Sequence, residues 1–585
     1  MKYSDLLVDW LKDAGYTTCF FVAGGNIMHI LESCGRKLRT IPVVHEVAAG
    51  IATEYFNQVS SGERAFALVT AGPGLTNILT AFAGAWLESR ELLVIGGQVK
   101  TADLSRGHVR QRGIQEIDGV ALARPVSALS VLMEDIVDQQ QFTAWLQAGS
   151  SRRKGPVFIE LPLDLQARNV AEAELNRAPL PPPQIPAIAA TDLEKVAARI
   201  RQAERPILLV GGGVDRETAA RVAFDAMTVP VMTTWNGADR IEARSPVYFG
   251  RPNTWGQRYA NVLIQQADLL VALGTRLGMQ QTGFNWQEFL PRGDIIQVDC
   301  DKSELHKGHP EVDWPLCGDA NQVLAYLAKA DLGDHRSWLS FCREVKERLP
   351  LVEDCNTTGP GYISPYEFVG TLSQLCRGDD IIIPCSSGGA FTTMLQGFAN
   401  KAGQIMVSNK GLAAMGYGLS GSIGAAFAGK GRRTILVEGD GGFAQNLQEI
   451  GTAAVNRLNL KIFIYDDNGY ASIRMTQSNY FGGRYLGCDI ATGLGLPNWE
   501  KIFAAWDVPA MRIKPGFEKD AAFHKLFTAE GVAAFIVPVD PKQTYLPKIT
   551  SRVTETGGMV SNPLHRLSPD LDETLYQHVA RYLLD

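Results

Sequence analysis

The chain of 585 residues has little of what marks several broad protein classes. Its nine cysteines are scattered, odd in number and never spaced C-x-x-C, which argues against a disulfide framework or a zinc site. No apolar run reaches the ~18 residues of a membrane span. Met1–Asp5 lacks a basic start followed by an apolar signal core. Basic residues are not in excess: 56 Lys and Arg stand against 62 Asp and Glu, a net charge of −6, so the basic face needed to displace counterions from nucleic acid is not expected. Apolar residues at 45% and charged residues at 20% exclude extended disorder. The expectation is a cytoplasmic globular protein with neither nucleic acid nor membrane as partner.

Glycine, by contrast, is abundant. The 58 glycines make up about one residue in ten, against ~7% in average proteins. They follow short apolar runs instead of forming a low-complexity tract. Those runs include Ala65–Val69, Leu92–Ile95, Val157–Leu161, Ile207–Val210, Leu269–Leu273, Ile295–Val298, Thr434–Val437, Ile462–Tyr465 and Ala534–Val537. Continuous β-rich runs of this length read as strands buried on both faces. Helical patterns such as Asp192–Gln202 and Pro365–Leu375 lie between them. The alternation predicts α/β architecture with parallel sheets and ligand loops at the carboxyl ends of strands.

Two stretches interrupt this pattern. Ala178–Pro186 carries five prolines in nine residues and reads as an extended, semi-rigid connector. Asp354–Ser364 is polar and reads as a second linker. The predicted segments are 1–170, 190–350 and 362–541, with a tail over 542–585. Ala65–Gly74 and Thr434–Gly442 both run from a strand into a G-x-G turn before a helix, a short echo that suggests duplication of the first segment in the third.

The most specific stretch is Gly439-Asp440-Gly441-Gly442, with Asp467 following Asp440 by 27 positions in the run Tyr465–Gly469. Both acids follow predicted strands. If the strands are parallel neighbours, Asp440 and Asp467 share one hard cation, with the Gly469 carbonyl as third oxygen. Mg²⁺ accepts such a set when phosphate oxygens and water complete its octahedron. Gly441 and Gly442 place amide N–H groups at a helix start, where a diphosphate is favoured. Taken alone, a G-D-G triplet reads equally as a loop with acidic caps, and a one-residue slip makes Asn468 the ligand. Glu46, in the run Val43–Gly50, opens a small-residue helix; alone it is a first-turn glutamate favoured by the helix dipole.

Together these stretches resemble the thiamine diphosphate (ThDP)-dependent enzymes, in particular the acetolactate synthase-like group. G-D-G followed some two dozen residues later by N-N is similar to their cofactor motif, although N-N falls on Asp466-Asp467 here. The resemblance covers Tyr3 to about Val539 and implies three doubly wound parallel-sheet domains: pyrimidine-binding, central and diphosphate-binding. It implies ThDP and Mg²⁺ as cofactors, with Gly439, Asp440, Gly441, Gly442, Asp467 and Gly469 at the diphosphate and metal. In Asn409–Ala426 it places Met415 at the cofactor's bend and the Ala413 carbonyl at its aminopyrimidine. It assigns Glu46 to the pyrimidine N1′, with a raised carboxyl pKa in the apolar setting of Val47, Ala48 and Ala49. Phe21–Asn26 resembles the glycine loop facing the substrate, with Gly24 and Gly25. Thr70–Asn77 resembles a cofactor segment, with Thr70 and Asn77. Gln115 resembles the glutamine that faces the reaction centre. The glutamate-bearing domain of one subunit meets the diphosphate domain of another in this family, which implies a homodimer or homotetramer.

The departures matter as well. The arginine-rich run that helps hold FAD in acetolactate synthases is Arg276-Leu277-Gly278-Met279-Gln280 here, with only its first arginine kept, so FAD is doubtful. Gly211-Gly212-Gly213 reads as a plain tight turn. Thr476 stands where those enzymes carry a tryptophan near the acceptor. Arg474 reads either as a contact for an anionic substrate or as a surface arginine. The tail, including Tyr545–Ser551 and Gly558–Pro563, resembles acetolactate synthase-like proteins associated with surface-polysaccharide genes. The resemblance implies decarboxylation of a 2-keto acid, with pyruvate the first choice, and carboligation of the acyl anion to an acceptor carbonyl. Glu46, Gln115 and Gly25 are its expected catalytic residues. The alternatives are C–C cleavage or hydrolysis of a diketone, acyl transfer to a nucleotide keto-sugar, and, last, a non-catalytic homologue.

Overall fold

The computed structural model describes residues 1–584. The chain forms two compact units, one of residues 1–184, 379–388 and 407–538, the other of residues 185–378, 389–406 and 539–585.

The first unit holds two parallel sheets. In one, strands β1 (Tyr16–Phe21), β2 (Arg39–Pro42), β3 (Arg64–Val69), β4 (Leu92–Gln98), β5 (Leu129–Leu132) and β6 (Pro156–Pro162) take the order β2-β1-β3-β4-β6-β5. β4 and β6 are buried at every position, as continuous apolar runs in a two-faced sheet require. In the other, strands Ile381–Ile383, Thr434–Gly439, Leu460–Asp466, Ala533–Pro538 and Ala510–Arg512 lie side by side in that order. This is the wiring of β1-β3-β4-β6-β5, so the sequence echo extends to topology. Phe463 and Phe535 stack at 4.7 Å in its core.

These two sheets are joined through a helix pair. Helix Glu46–Val59 crosses Tyr417–Ala428 so closely that a Cβ on Gly424 would sit 1.9 Å from the Ala52 carbonyl oxygen. Buried Glu54 accepts from Arg90 at 2.8 Å and from the Tyr417 hydroxyl at 2.9 Å. That pairing satisfies charges that burial would otherwise make costly.

The second unit carries the central sheet: β7 (Pro206–Val210), β8 (Val231–Thr233), β9 (Leu269–Leu273), β10 (Asp294–Asp299) and β11 (Trp314–Cys317), in the order β11-β10-β9-β7-β8. The Gly211–Gly213 turn is tight because it packs backbone to backbone: a Cβ on Gly211 would lie 2.3 Å from the Gly274 carbonyl oxygen. The tail has a short antiparallel hairpin, Ser551–Val553 with Met559–Ser561. Beyond it, Leu564, Leu567, Tyr576 and Val579 pack into the hydrophobic core around the central sheet, so the tail is part of that core.

All nine apolar runs singled out above are strands, extended at one or both ends except Leu269–Leu273, which matches its run. The proline-rich Ala178–Pro186 has neither helix nor strand. Among the described residues, no helix is long and apolar enough to cross a membrane.

Candidate active site

The two sheets of the first unit present their loops at the carboxyl ends of parallel strands. Strands Thr434–Gly439 and Leu460–Asp466 are direct neighbours, with Gly439 opposite Tyr465. Asp440 and Asp467 therefore leave the sheet side by side. Asp440 is fully buried and Asp467 nearly so. Asp440 Oδ1 accepts from the Gly441 amide at 2.6 Å, and Oδ2 accepts from the Gly469 amide at 3.1 Å. The Asp467 carboxylate lies close enough to Asp440 for the two to repel. Burial, then repulsion from Asp467, raises the Asp440 pKa well above the usual carboxylate range. Burial pushes Asp467 up to about 6, against the pull of Arg474. Asn468 is exposed, so Asp467 is the buried carboxylate beside Asp440.

The glycines of this turn differ in their reasons. Gly469 has φ +142°, and a Cβ there would lie 2.3 Å from the Cys488 carbonyl oxygen. A Cβ on Gly441 would sit 2.4 Å from the Tyr470 ring. Gly439 has an ordinary φ of −79° and open space where its Cβ would be. The Gly441 amide donates to its neighbour Asp440 at the start of the single-turn helix Asp440–Phe443.

Arg474 corrects the surface reading. It is 5% exposed, hence no surface arginine, and its partner is a carboxylate of the protein. Its Nη2 donates to Asp467 Oδ1 at 2.9 Å and to the Asp467 carbonyl at 2.8 Å. Asp466 pairs separately with Arg512 at 2.6 Å. The seven-residue spacing of Asp467 and Arg474 was the available signal; only the helix beginning at Ala471 shows that the side chain turns back.

Met415 and Ala413 lie in the loop before helix Tyr417–Ala428. Met415 is 39% exposed, unlike a core methionine, and Gln445 Nε2 lies 3.6 Å from its sulfur. Ala413 has φ +56°, a left-handed conformation unusual for alanine. Glu438 anchors the helix that follows, accepting from the Gly418 and Leu419 amides at 3.4 and 3.2 Å. Burial pushes its pKa up to about 8. The sequence reading passed over Glu438 because it lies inside a strand run.

In the first sheet, Glu46 begins its helix because His45 Nδ1 caps the Val47 amide at 3.2 Å. Glu46 is 8% exposed, and its Oε2 accepts from Asn77 Nδ2 at 2.9 Å. Thr70 Oγ1 is buried with no hydrogen-bond partner among the described residues. A Cβ on Gly24 would lie 2.3 Å from Thr70 Cβ, whereas one on Gly25 would meet nothing within 4 Å. Gly72, at φ +66°, lies against Gln115: a Cβ there would sit 2.4 Å from the Gln115 carbonyl oxygen. Gln115 itself has φ +62° and is exposed. Glu46 is thus brought to Asn77, Gly24 to Thr70, and Gly72 to Gln115. Glu449, also unread in the sequence, ties the Glu46 segment to the helix Glu449–Val455 that follows strand Thr434–Gly439. It accepts from the Val44 and His45 amides at 3.1 and 3.0 Å.

Among the described residues, no group of three or more His, Cys, Asp or Glu is arranged to hold a metal. A hard-cation set of two carboxylates, one carbonyl and ligand phosphates does not require one. The residues present fit a cation–diphosphate pair: the donors are oxygens, the two buried carboxylates leave neighbouring strands, and space is open beside Gly439.

Family comparison bears directly on this arrangement. The thiamine pyrophosphate enzyme N-terminal TPP binding domain matches residues 1–122, the central domain 193–327 and the C-terminal TPP binding domain 387–537, together more than two thirds of the chain. The three sheets are the α/β cores of those three domains, and the chain belongs to the thiamine pyrophosphate enzymes (TPP and ThDP are one compound). Curated relatives narrow the class. The acetolactate synthase isozyme 1 large subunit of Escherichia coli (strain K12) is 27% identical over 94% of this chain and 96% of its own length. The probable acetolactate synthase large subunit of Methanocaldococcus jannaschii is 28% identical over 99% and 98%. Acetolactate synthase 2, chloroplastic, of Zea mays is 28% identical over 94% and 87%. This chain is a ThDP-dependent, acetolactate synthase-like enzyme.

Proposed function

We propose that the protein decarboxylates a 2-keto acid, pyruvate first, and joins the resulting acyl unit to an acceptor carbonyl. The observation that carries this reading is the pair of buried carboxylates, Asp440 and Asp467, at the ends of neighbouring strands, in a chain whose curated relatives are named acetolactate synthases. ThDP, when bound, supplies the electron sink that lets the carboxylate leave as CO₂ and the acyl carbon attack as a nucleophile. Asp440, Asp467 and the Gly469 carbonyl hold Mg²⁺, and Gly439, Gly441 and Gly442 line the diphosphate. Glu46 keeps Oε2 on Asn77, so Oε1 is the oxygen that carries the activating proton. Thr70 Oγ1 turns its unsatisfied hydroxyl to the cofactor. Ala413 and Met415 present a carbonyl and a thioether to it, and Gly25 and Gln115 shape the reaction space.

The division into 1–170, 190–350, 362–541 and the tail 542–585 is the domain plan of this reading, with pyrimidine- and diphosphate-binding roles for the first and third. The active sites lie between the subunits of a cytoplasmic homodimer or homotetramer. Exposed apolar side chains on the segments that carry the site support this: Val44, Ile114 and Leu486 in loops, and Met28, Ile473 and Phe481 on helices. Single exposed hydrophobes are ordinary, but a group of them marks an interaction surface. FAD is not part of the reading.

The test is CO₂ release from pyruvate by the full chain with ThDP and Mg²⁺. Glu46→Gln keeps the Asn77 contact but cannot pass a proton, and should lower turnover by about 10²–10⁴-fold while ThDP still binds. Undiminished turnover would sink the mechanism. A second reading changes the acceptor, with acyl transfer to a nucleotide keto-sugar or cleavage of a diketone. It is favoured by exposed Thr476 where a tryptophan was expected. Product analysis with a panel of carbonyl acceptors separates the two.

A further inference from the structure

We propose that Arg474 is the positioning residue of the diphosphate end. It fixes Asp467 in place and cancels its charge, so that an anionic diphosphate meets one net carboxylate there instead of two. The inference rests on the functional reading above and adds to it a residue for which neither the motif nor the family comparison gives a role.

Three observations carry it. Arg474 and Asp467 are both nearly excluded from water, where a charge pair is felt far more strongly than at the surface. The guanidinium bonds the Asp467 carboxylate and the Asp467 carbonyl from one nitrogen, at 2.9 and 2.8 Å. That closes the loop from Asp467 to the first turn of helix Ala471–Phe481 across Asn468 and Gly469, whose φ of +65° and +142° both lie in the left-handed region. One side chain thereby holds Asp467 by both its carboxylate and its carbonyl. Finally, both acids of the Asp466-Asp467 pair have an arginine of their own, Arg512 and Arg474. The extra negative charge at this turn is thus matched one for one, near a position meant for a ligand that is itself anionic.

If Arg474 acts on the diphosphate end through Asp467, the two positions must behave as a unit. The full-length wild type, Arg474→Met, Asp467→Asn and the double variant are titrated with ThDP at saturating Mg²⁺ by calorimetry. Arg474→Met should weaken ThDP at least tenfold, since Asp467 then repels the diphosphate. Asp467→Asn should also weaken it, since Arg474 is left buried without its carboxylate. The double variant should return to within about threefold of wild type, because an amide oxygen at position 467 needs no countercharge. A purely structural arginine would give losses that multiply, and a double variant as weak as the product of the single variants overturns the proposal. Should Arg474→Met fail to fold, the double variant decides alone: folding with near-wild-type affinity supports the pairing, and a tenfold or greater loss overturns it. If wild type takes up no ThDP with Mg²⁺, the functional reading fails and this proposal with it; if it does and the cycle multiplies, only the role of Arg474 fails.

Discussion

Glu160 offers a sharp test of the energetics. It lies in β6, fully inside the first sheet, and its Oε1 accepts from Gln98 Nε2 at 3.2 Å. A Cβ on Gly119 would touch the same oxygen at 2.1 Å, so the carboxyl is packed against the start of helix Gly119–Ala123. Burial, with Asp118 and Glu116 adding repulsion against the pull of Gln98, pushes its pKa from 4.5 up to about 8. For a group whose folded pKa is raised, the stabilising contribution is fully present below about pH 4.5 and is lost as pH rises through about 8. The displacement amounts to ~5 kcal/mol when fully expressed, at 1.36 kcal/mol per pKa unit. Hydration and relaxation around the charged form reduce this, and a loss of about 2 kcal/mol is enough to shift a melting midpoint by ~4–8 °C in a domain of this size. Glu160→Gln mimics the protonated form and retains the acceptor for Gln98. The two proteins should melt together at pH 4, with the variant pulling several degrees ahead by pH 9. Every other titrating group is common to both, so the difference isolates Glu160. Parallel melting curves across that range would refute the reasoning.

Other perturbations separate positioning from chemistry. Asn77→Ala removes the 2.9 Å bond to Glu46 Oε2 and should lower CO₂ release about 10–100-fold, a charge-assisted bond of ~1.5–3 kcal/mol, with little change in melting. Gly441→Ala forces a Cβ into the Tyr470 ring and should cost ~1–3 kcal/mol of stability by overpacking, read by thermal melting. Gly439→Ala meets open space, so its melting should be unchanged, and any loss of ThDP affinity, read by calorimetry, reports ligand approach at that turn. Glu449→Ala leaves the Val44 and His45 amides without their acceptor and should cost ~1–3 kcal/mol in melting while reducing turnover, although Glu46 itself is unchanged.

Much of the fold was legible because it rests on local rules. Runs such as Leu269–Leu273 and Thr434–Val437 are apolar on both faces, and only a covered parallel sheet has use for that pattern. Helix Pro365–Leu375 starts where Pro365 permits a first turn and keeps its apolar period to the end. The carboxylates Asp440 and Asp467 were legible as a pair because each follows a strand. Thr-containing Tyr16–Phe21 and the short edge strand Ala510–Arg512 show no such run and emerge only from their neighbours in the sheet.

What the linear chain could not decide is which side chains meet across long separations. Glu449 reaches back some four hundred residues to the Val44 and His45 amides, and nothing near either position announces it. The tail is set apart in sequence as 542–585, yet Tyr576 and Val579 lie in the core around the central sheet. Arg474 could be read as polar surface or substrate contact until the helix start turned it onto Asp467. Composition and periodicity set the architecture, since burial and backbone hydrogen bonding act element by element. The sequence alone determined the class of fold and the acids that mark its ligand turn. The tertiary structure decided the countercharges and anchors of that turn, because a buried charge finds its partner in space and not along the chain.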